Sequence, residues 1–276
     1  RNLFFLEKEG KICILIQFFL FFLIILMWRW HSIAAKKASG DANKSRMYSI
    51  IGKKIQIAAK NGADPKMNPS LEMMLEKARY HGLPKDVVER AILKGSGQLE
   101  WEEMKEVFYE GYGPNGSAIL IKTVTSNTNR TSQSLRTALQ KAWGSMAEIG
   151  AVARQFKEQG FIVIDGKSQM VEDKGRQIEQ IMPFDTETLE MEMMDLPIED
   201  LSIDWQIAEV YTSKSDFVSV RKAVVELGYH ISEADIHFFA ENQISLTGED
   251  RETFEHILEV LHDDEDVDQV YHNLAL

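Results

Sequence analysis

The spacing of apolar residues changes near residue 100, and this change divides the chain into a helical part and a mixed part. Before it, Met47, Ile51, Ile55 and Ala59 recur every four residues, which is the spacing of one buried helix face. Two more helices are predicted before Gly95, and most lysines lie off the apolar stripes. We therefore expect an N-terminal helical domain with a basic exterior.

After residue 102 the pattern is that of strands and helices. The stretches EVFYEGY and SAILIKTVT are predicted strands joined by the turn GPNG, which is a hairpin signal. GAVARQF is expected to form a further strand. Helices are predicted through Leu135 and Leu139 and around 185–194, 215–227 and 251–261. Elements in this order are typical of split β-α-β units of the ferredoxin-like kind. The expected fold class is α+β, with a helical domain followed by two ferredoxin-like α/β domains.

Length and cysteine content narrow the class of protein further. A chain of 276 residues, 44% of them hydrophobic, is long enough to form two or three domains with buried cores. Its single cysteine, Cys13, excludes a disulfide framework and a cysteine-rich zinc site. We expect a reducing compartment.

The charge is distributed unevenly along the chain. The net charge is −12, yet residues 28–99, here called the basic head, contain 14 lysines and arginines against 6 acidic residues. The acidic excess therefore lies in residues 100–276, here called the acidic body. Such asymmetry predicts that a polyanion binds at the basic end; solvated lysine-rich helices are the alternative interpretation.

The first residues form a separate apolar stretch. Residues 12–28 are almost continuously apolar, with Gln17 as the polar exception, and this length is at the short limit for a membrane span. The chain begins with Arg1, and its first methionine is Met27. We expect residues 1–26 to be translated upstream sequence outside the native protein; a membrane anchor is the alternative.

The sequence does not predict a catalytic or metal site. His256 and His262 lie six residues apart, and His230 and His237 seven, neither of which is the spacing of a helical metal pair. The loop EGYGPNG lacks the Lys-Ser/Thr pair of a phosphate-binding loop. We therefore predict no catalytic residue, no metal, no cofactor, no small-molecule substrate and no enzymatic activity.

Four stretches resemble the YebC/PmpR family. They are SIAAKKASGDANKSRMYSIIGKKI, NPSLEMMLEKARYHGLPKDVVERAILKGSG, YEGYGPNGSAILIKTVTSNTNRT and GAVARQF. The resemblance implies a cytoplasmic protein, not bound to membranes, with a helical domain over 27–100. It further implies a middle α/β domain over 101–157 and 243–276, with the third domain, 158–242, inserted into it.

The same resemblance implies two functions. One is a DNA-binding transcriptional regulatory protein; the alternative is a ribosome-associated translation factor that eases translation through proline-rich stretches. Both require a basic surface against the phosphates of DNA or ribosomal RNA. The candidate nucleic-acid-binding residues are Arg29, Lys36, Lys37, Lys44, Arg46, Lys53, Lys54, Arg130 and Arg136.

Some of these assignments have competing interpretations. An internal ion pair with the acidic body is the alternative for Arg130 and Arg136. Tyr109 and Tyr112 are candidates for base stacking, although packing is the ordinary role of such strand residues. Sequence specificity and oligomeric state are not predicted.

The five tryptophans fall where relatives in this family mostly carry glycine. They are Trp28, Trp30, Trp101, Trp143 and Trp205. Trp143 follows a predicted helix, where a left-handed backbone suits glycine. We hypothesise that the source organism reads the codon UGA as glycine; ordinary core tryptophans and base-stacking tryptophans are the alternatives. The hypothesis predicts Trp143 at a helix-end turn, and Trp28, Trp30 and Trp101 exposed or in loops.

Overall fold

A computed structural model of the protein describes residues 41–100, 102–173 and 176–275. Its N-terminal part is helical, as predicted. The helices are α1 (Asp41–Ala59), α2 (Pro69–Tyr80) and α3 (Lys85–Gly95). The Asn68 side chain accepts a hydrogen bond from the Leu71 N–H and so caps α2, because a helix N-terminus leaves donors without partners. Residues from Ile50 onward form one compact unit.

The first sheet is built from strands that are distant in sequence. Its strands are β1 (Lys105–Tyr112), β2 (Ala118–Thr125), β3 (Ser145–Met146) and β9 (Val267–His272). The spatial order is β3-β1-β2-β9, with antiparallel neighbours. Helix α4 (Thr128–Lys141) connects β2 to β3, and β1 lies between them. This is a split β-α-β unit.

The second sheet is formed entirely by residues between β3 and β9. Its elements are β4 (Phe156–Asp173), β5 (Arg176–Met182), α5 (Thr186–Met194), β6 (Ile198–Asp204), β7 (Ile207–Thr212), α6 (Phe217–Glu226) and β8 (Tyr229–Ala240). Strand β4 pairs with β5, β7 and β8, and β7 also pairs with β6. Strands β7 and β8 are connected by α6, and β4 lies between them in the sheet. They therefore form a second split β-α-β unit. The α+β class is confirmed.

Two helices cover one face of the first sheet. Helix α7 (Glu249–His262) packs beside α4. Leu135 and Leu139 from α4 meet Phe254 and Ile257 from α7 in one buried cluster. Burying each such side chain contributes about 1.5–3 kcal/mol. The inner face of α4 is thus fixed on the sheet, and its polar face points outward.

The predicted strand in GAVARQF is wrong. This stretch is a turn followed by a short 3-10 helix, and β4 begins only at Phe156. The reason is the buried Glu110, whose carboxylate accepts hydrogen bonds from the N–H groups of Gly150, Val152 and Ala153. Burial opposes the charge of Glu110, but these three donors lower its pKa below the ordinary value. A side chain therefore satisfies backbone groups that a strand would pair.

Two tryptophans have left-handed backbone conformations. Trp143, just after α4, has φ 64° and is 86% exposed; Trp205, between β6 and β7, has φ 55° and is 82% exposed. This confirms the helix-end position predicted for Trp143. A left-handed backbone costs a residue with a Cβ about 1–2 kcal/mol. Trp28, Trp30 and Trp101 lie outside the described residues.

The apolar stretch 12–28 also lies outside the described residues. Within the part of the chain that the structure does describe, no helix has both the length and the apolar character needed to cross a bilayer.

Candidate nucleic-acid interface

Helix α4 carries polar residues along its outer face. Its first turn is capped by Asn127, whose side-chain oxygen accepts a hydrogen bond from the Arg130 N–H at 3.0 Å. Thr131, Leu135 and Leu139 point inward and are buried. Because these residues recur at helical spacing, the remaining positions form a continuous outward face.

This outward face is basic. We call it the α4 strip, and it consists of Asn129, Ser132, Gln133, Arg136, Thr137, Gln140 and Lys141. Helix α4 contains no acidic residue. Neither Arg136 nor Lys141 forms an ion pair with any described residue. The strip therefore combines unpaired positive charge with hydroxyl and amide groups, which are the groups that bind phosphate oxygens.

Arg130 lies at the edge of the strip and has an internal partner. Its Nη2 donates to Oδ2 of Asp266 at 2.8 Å, while the side chain is 64% exposed. The hydrogen bond to Asp266 and its negative charge raise the pKa of Arg130. The internal ion pair considered as the alternative is therefore present for Arg130 but not among the described contacts of Arg136. Most of the Arg130 side chain still faces solvent.

Asp266 also binds Lys53. The Lys53 ammonium is 2.8 Å from Asp266 Oδ1, and the hydroxyls of Thr125 and Thr131 donate to Oδ2. Burial opposes the charge of Asp266, but its hydrogen bonds, first that from Lys53 and then that from Arg130, lower its pKa to about 2. Lys53 is therefore not an exposed member of the basic surface, and its predicted exposure is wrong.

Lys54 is enclosed more completely. It is 5% exposed, and its Nζ lies 2.6 Å from Asp268 Oδ2 and 3.1 Å from Asp235 Oδ2. Burial alone would lower the pKa of Lys54, yet these two carboxylates raise it above the ordinary value. The prediction that Lys54 belongs to the exterior is wrong, because β8 and β9 bring carboxylates to this side of α1. A buried ammonium persists only when it is paired.

Two further lysines extend this buried cluster. Lys77 lies 3.6 Å from Asp235, and Lys122 lies 4.0 Å from Asp268. Burial and the neighbouring Lys54 charge lower the pKa of Lys77. Part of the charge asymmetry seen in the sequence is therefore internal, because lysines of the basic head neutralise aspartates of the acidic body.

The remaining predicted residues fall into two groups. On α1, Lys44 is exposed and Arg46 is half-buried; Arg29, Lys36 and Lys37 lie outside the described residues. Other exposed cations were not predicted as binding residues: Lys66, Arg79, Lys85, Arg90 and Lys141. Apart from Lys66, they occupy helix positions off the buried residues, which was the available signal.

The surroundings of the strip differ from it in charge and chemistry. The neighbouring helix α7 exposes Glu252, Glu255 and Glu259.

Tyr109 donates its hydroxyl to the Thr128 carbonyl and Tyr112 to the Ala151 carbonyl. Both tyrosines also contact the cores of the first sheet, so packing is their role here. No group of metal-binding side chains is found among the residues described.

These features define a mixed α+β protein with a basic, amide-rich helix face on an acidic body. The chain belongs to the TACO1/YebC family. The family's "TACO1/YebC protein N-terminal domain" matches residues 28–98, and its "TACO1/YebC second and third domain" matches residues 104–274.

Relatives are similar over nearly their whole length. A protein of Hathewaya histolytica is 36% identical, covering 89% of this chain and 94% of its own; one of Thermoanaerobacter pseudethanolicus is 35% identical, covering 90% and 96%. Both are named probable transcriptional regulatory proteins. The crystal structure of a conserved hypothetical protein from Aquifex aeolicus matches with a TM-score of 0.73 and 28% identity, covering 86% of this chain and 93% of that one.

Proposed function

We propose that this protein is a cytoplasmic, non-enzymatic regulator of gene expression that binds DNA. The names of its relatives support transcriptional regulation, and the α4 strip supplies the phosphate-binding surface. Arg130 extends that surface. In the basic head, we propose as further phosphate-binding residues Arg29, Lys36, Lys37, Lys44 and Arg46. The observation that carries the proposal is the unpaired charge of Arg136 and Lys141 on a helix without acidic residues.

The net charge of −12 does not oppose this proposal. At physiological ionic strength the Debye length is about 8 Å, so exposed charges beyond it are largely screened. A phosphate on the α4 strip therefore interacts mainly with Arg130, Arg136 and Lys141. Each phosphate that is neutralised releases counterions, which supplies most of the affinity for a nucleic-acid backbone.

A ribosome-associated translation factor is the second candidate, and the packing of α4 favours it. The helix lies flat on the first sheet beside α7, so it does not project as a helix that enters a DNA groove would. Binding through phosphates positions a protein without reading bases. Structured RNA is recognised largely by shape and backbone contacts, which such a surface can provide.

One comparison separates the two candidates. Sedimentation with ribosomes and binding to promoter DNA fragments are measured at the same salt concentration. Saturable binding to one promoter at a concentration where ribosomes do not retain the protein supports transcriptional regulation. Strong ribosome co-sedimentation with weak, sequence-independent DNA binding supports the second candidate and rejects the first.

The contribution of the basic head is tested on the same assays. Replacing Lys36, Lys37, Lys44 and Arg46 with Ala is expected to weaken binding and reduce its salt dependence, by roughly 0.9 per lost phosphate contact in the log–log slope. Circular dichroism serves as the folding control. Unchanged affinity and slope would exclude these four residues from the binding surface.

A further inference from the structure

Asp266 is an acidic residue at the centre of a cluster of donors. It immediately precedes β9, and its side chain is 7% exposed. Oδ1 faces the Lys53 ammonium, and Oδ2 accepts hydrogen bonds from Arg130 and Thr131 at 2.8 Å each and from Thr125 at 3.2 Å. The carboxylate is therefore held from several sides and has little freedom to move.

Arg130 lacks any comparable enclosure of its own. Its side chain is 64% exposed, and Nη2 is the guanidinium nitrogen held by Asp266. A guanidinium has five N–H donors in a rigid plane, so one hydrogen bond to a fixed carboxylate restricts the plane and leaves other donors directed to solvent. Restricting a long side chain before binding removes part of the entropy cost of binding.

We propose that Asp266 is a positioning residue for nucleic-acid binding: it holds the Arg130 guanidinium in the orientation that contacts a phosphate. This inference rests on the proposed function, and it names a residue that favours polyanion binding although it is acidic. Simple electrostatics predicts the opposite sign, since removing a negative charge beside a phosphate site strengthens binding. The sign of the change therefore distinguishes the two explanations.

The test compares two substitutions that remove the same charge. Asp266→Asn is expected to weaken binding to a 20-nucleotide RNA or a DNA duplex by about three- to tenfold, through loss of the charge-assisted hydrogen bond and of the preorganised guanidinium. Asp263→Asn removes an exposed carboxylate three residues earlier, and it should leave affinity unchanged or slightly higher. Tighter binding by Asp266→Asn would overturn the proposal.

A double-mutant cycle separates positioning from a general effect on folding. If Asp266 acts through Arg130, Asp266→Asn has little further effect in an Arg130→Ala background. An equal loss in both backgrounds would show a structural role and overturn the proposal. Arg130→Lys leaves the Lys53–Asp266 pair in place and keeps the charge, yet it should bind about as weakly as Arg130→Ala, because lysine lacks the planar fork.

These results also distinguish this inference from the function on which it rests. If the unmodified protein binds neither RNA nor DNA at low salt, the proposed function fails. If it binds, and Arg130→Ala weakens binding while Asp266→Asn does not, the role of Asp266 alone is rejected.

Discussion

The basic residues of α1 and α4 are similar in sequence but differ in what they face. On α1, Lys53 pairs with Asp266, which immediately precedes β9. Lys54 pairs with Asp235 of β8 and Asp268 of β9. Arg136 and Lys141 on α4 have no ion-pair partner among the described residues. A cation therefore contributes to the proposed binding surface only when the fold leaves it exposed, and a count of charges along the chain does not show this.

The largest expected difference between the two helices is in how much the loss of one cation lowers the free energy of unfolding. Replacing Lys54 with Ala leaves Asp235 and Asp268 without their shared cation, and breaking a buried ion pair from one side costs about 3–5 kcal/mol. Arg136→Ala should change the free energy of unfolding by less than about 0.5 kcal/mol, as at other exposed sites. Urea unfolding measures both. Equal effects would contradict the distinction between paired and unpaired cations.

Lowering the pH should reduce the stability that comes from the ion pairs of Lys53 and Lys54. The pKa of Asp266 is lowered to about 2, and the pKa of Asp235 is also lowered, because facing lysines outweigh the opposing effect of burial. A depressed folded-state pKa gives stability that is present above the unfolded value of about 4 and lost as pH falls toward 2. The urea midpoint should therefore drop between pH 5 and pH 2.5. Asp266→Asn should reduce this drop; an unchanged pH dependence would reject the assignment.

Trp143 tests whether the strip acts through charge or through aromatic stacking. Trp143→Gly relieves a left-handed backbone directly after α4 and is expected to stabilise the protein by about 1–2 kcal/mol, with unchanged nucleic-acid affinity. Trp205→Gly, far along the chain, is the matched variant for the stability effect. Weaker binding by Trp143→Gly alone would assign Trp143 a stacking role.

The same position tests the codon hypothesis. Mass spectrometry of the peptide spanning residue 143 in the native protein should show glycine. Tryptophan at this position would end the hypothesis.

Local signals predicted the fold well where neighbouring residues decide the structure. Helix α5 begins after Asp185, whose side chain accepts the Thr188 N–H, and the turn GPNG joins β1 to β2 as expected. The error at GAVARQF has a non-local cause, since Glu110 lies some forty residues earlier in the chain. Spacing alone does not predict such a partner.

The same limit applies to the candidate site. Arg136 was predictable because it does not belong to the apolar stripe of Leu135 and Leu139 on an amphipathic helix. Lys54 also lies off the predicted apolar stripe, but Asp235 and Asp268 lie far along the chain. Burial of charge depends on partners brought by tertiary structure, which helix periodicity does not contain.

The salt dependence of binding tests the central claim most directly. The logarithm of affinity for one nucleic-acid target is measured against the logarithm of salt concentration, for the unmodified protein and for a variant with Arg136→Ala and Lys141→Ala. If both side chains contact phosphates, the slope should fall by roughly 1.5 to 2 while the urea midpoint stays unchanged. An unchanged slope and affinity would show that nucleic acid does not bind along α4.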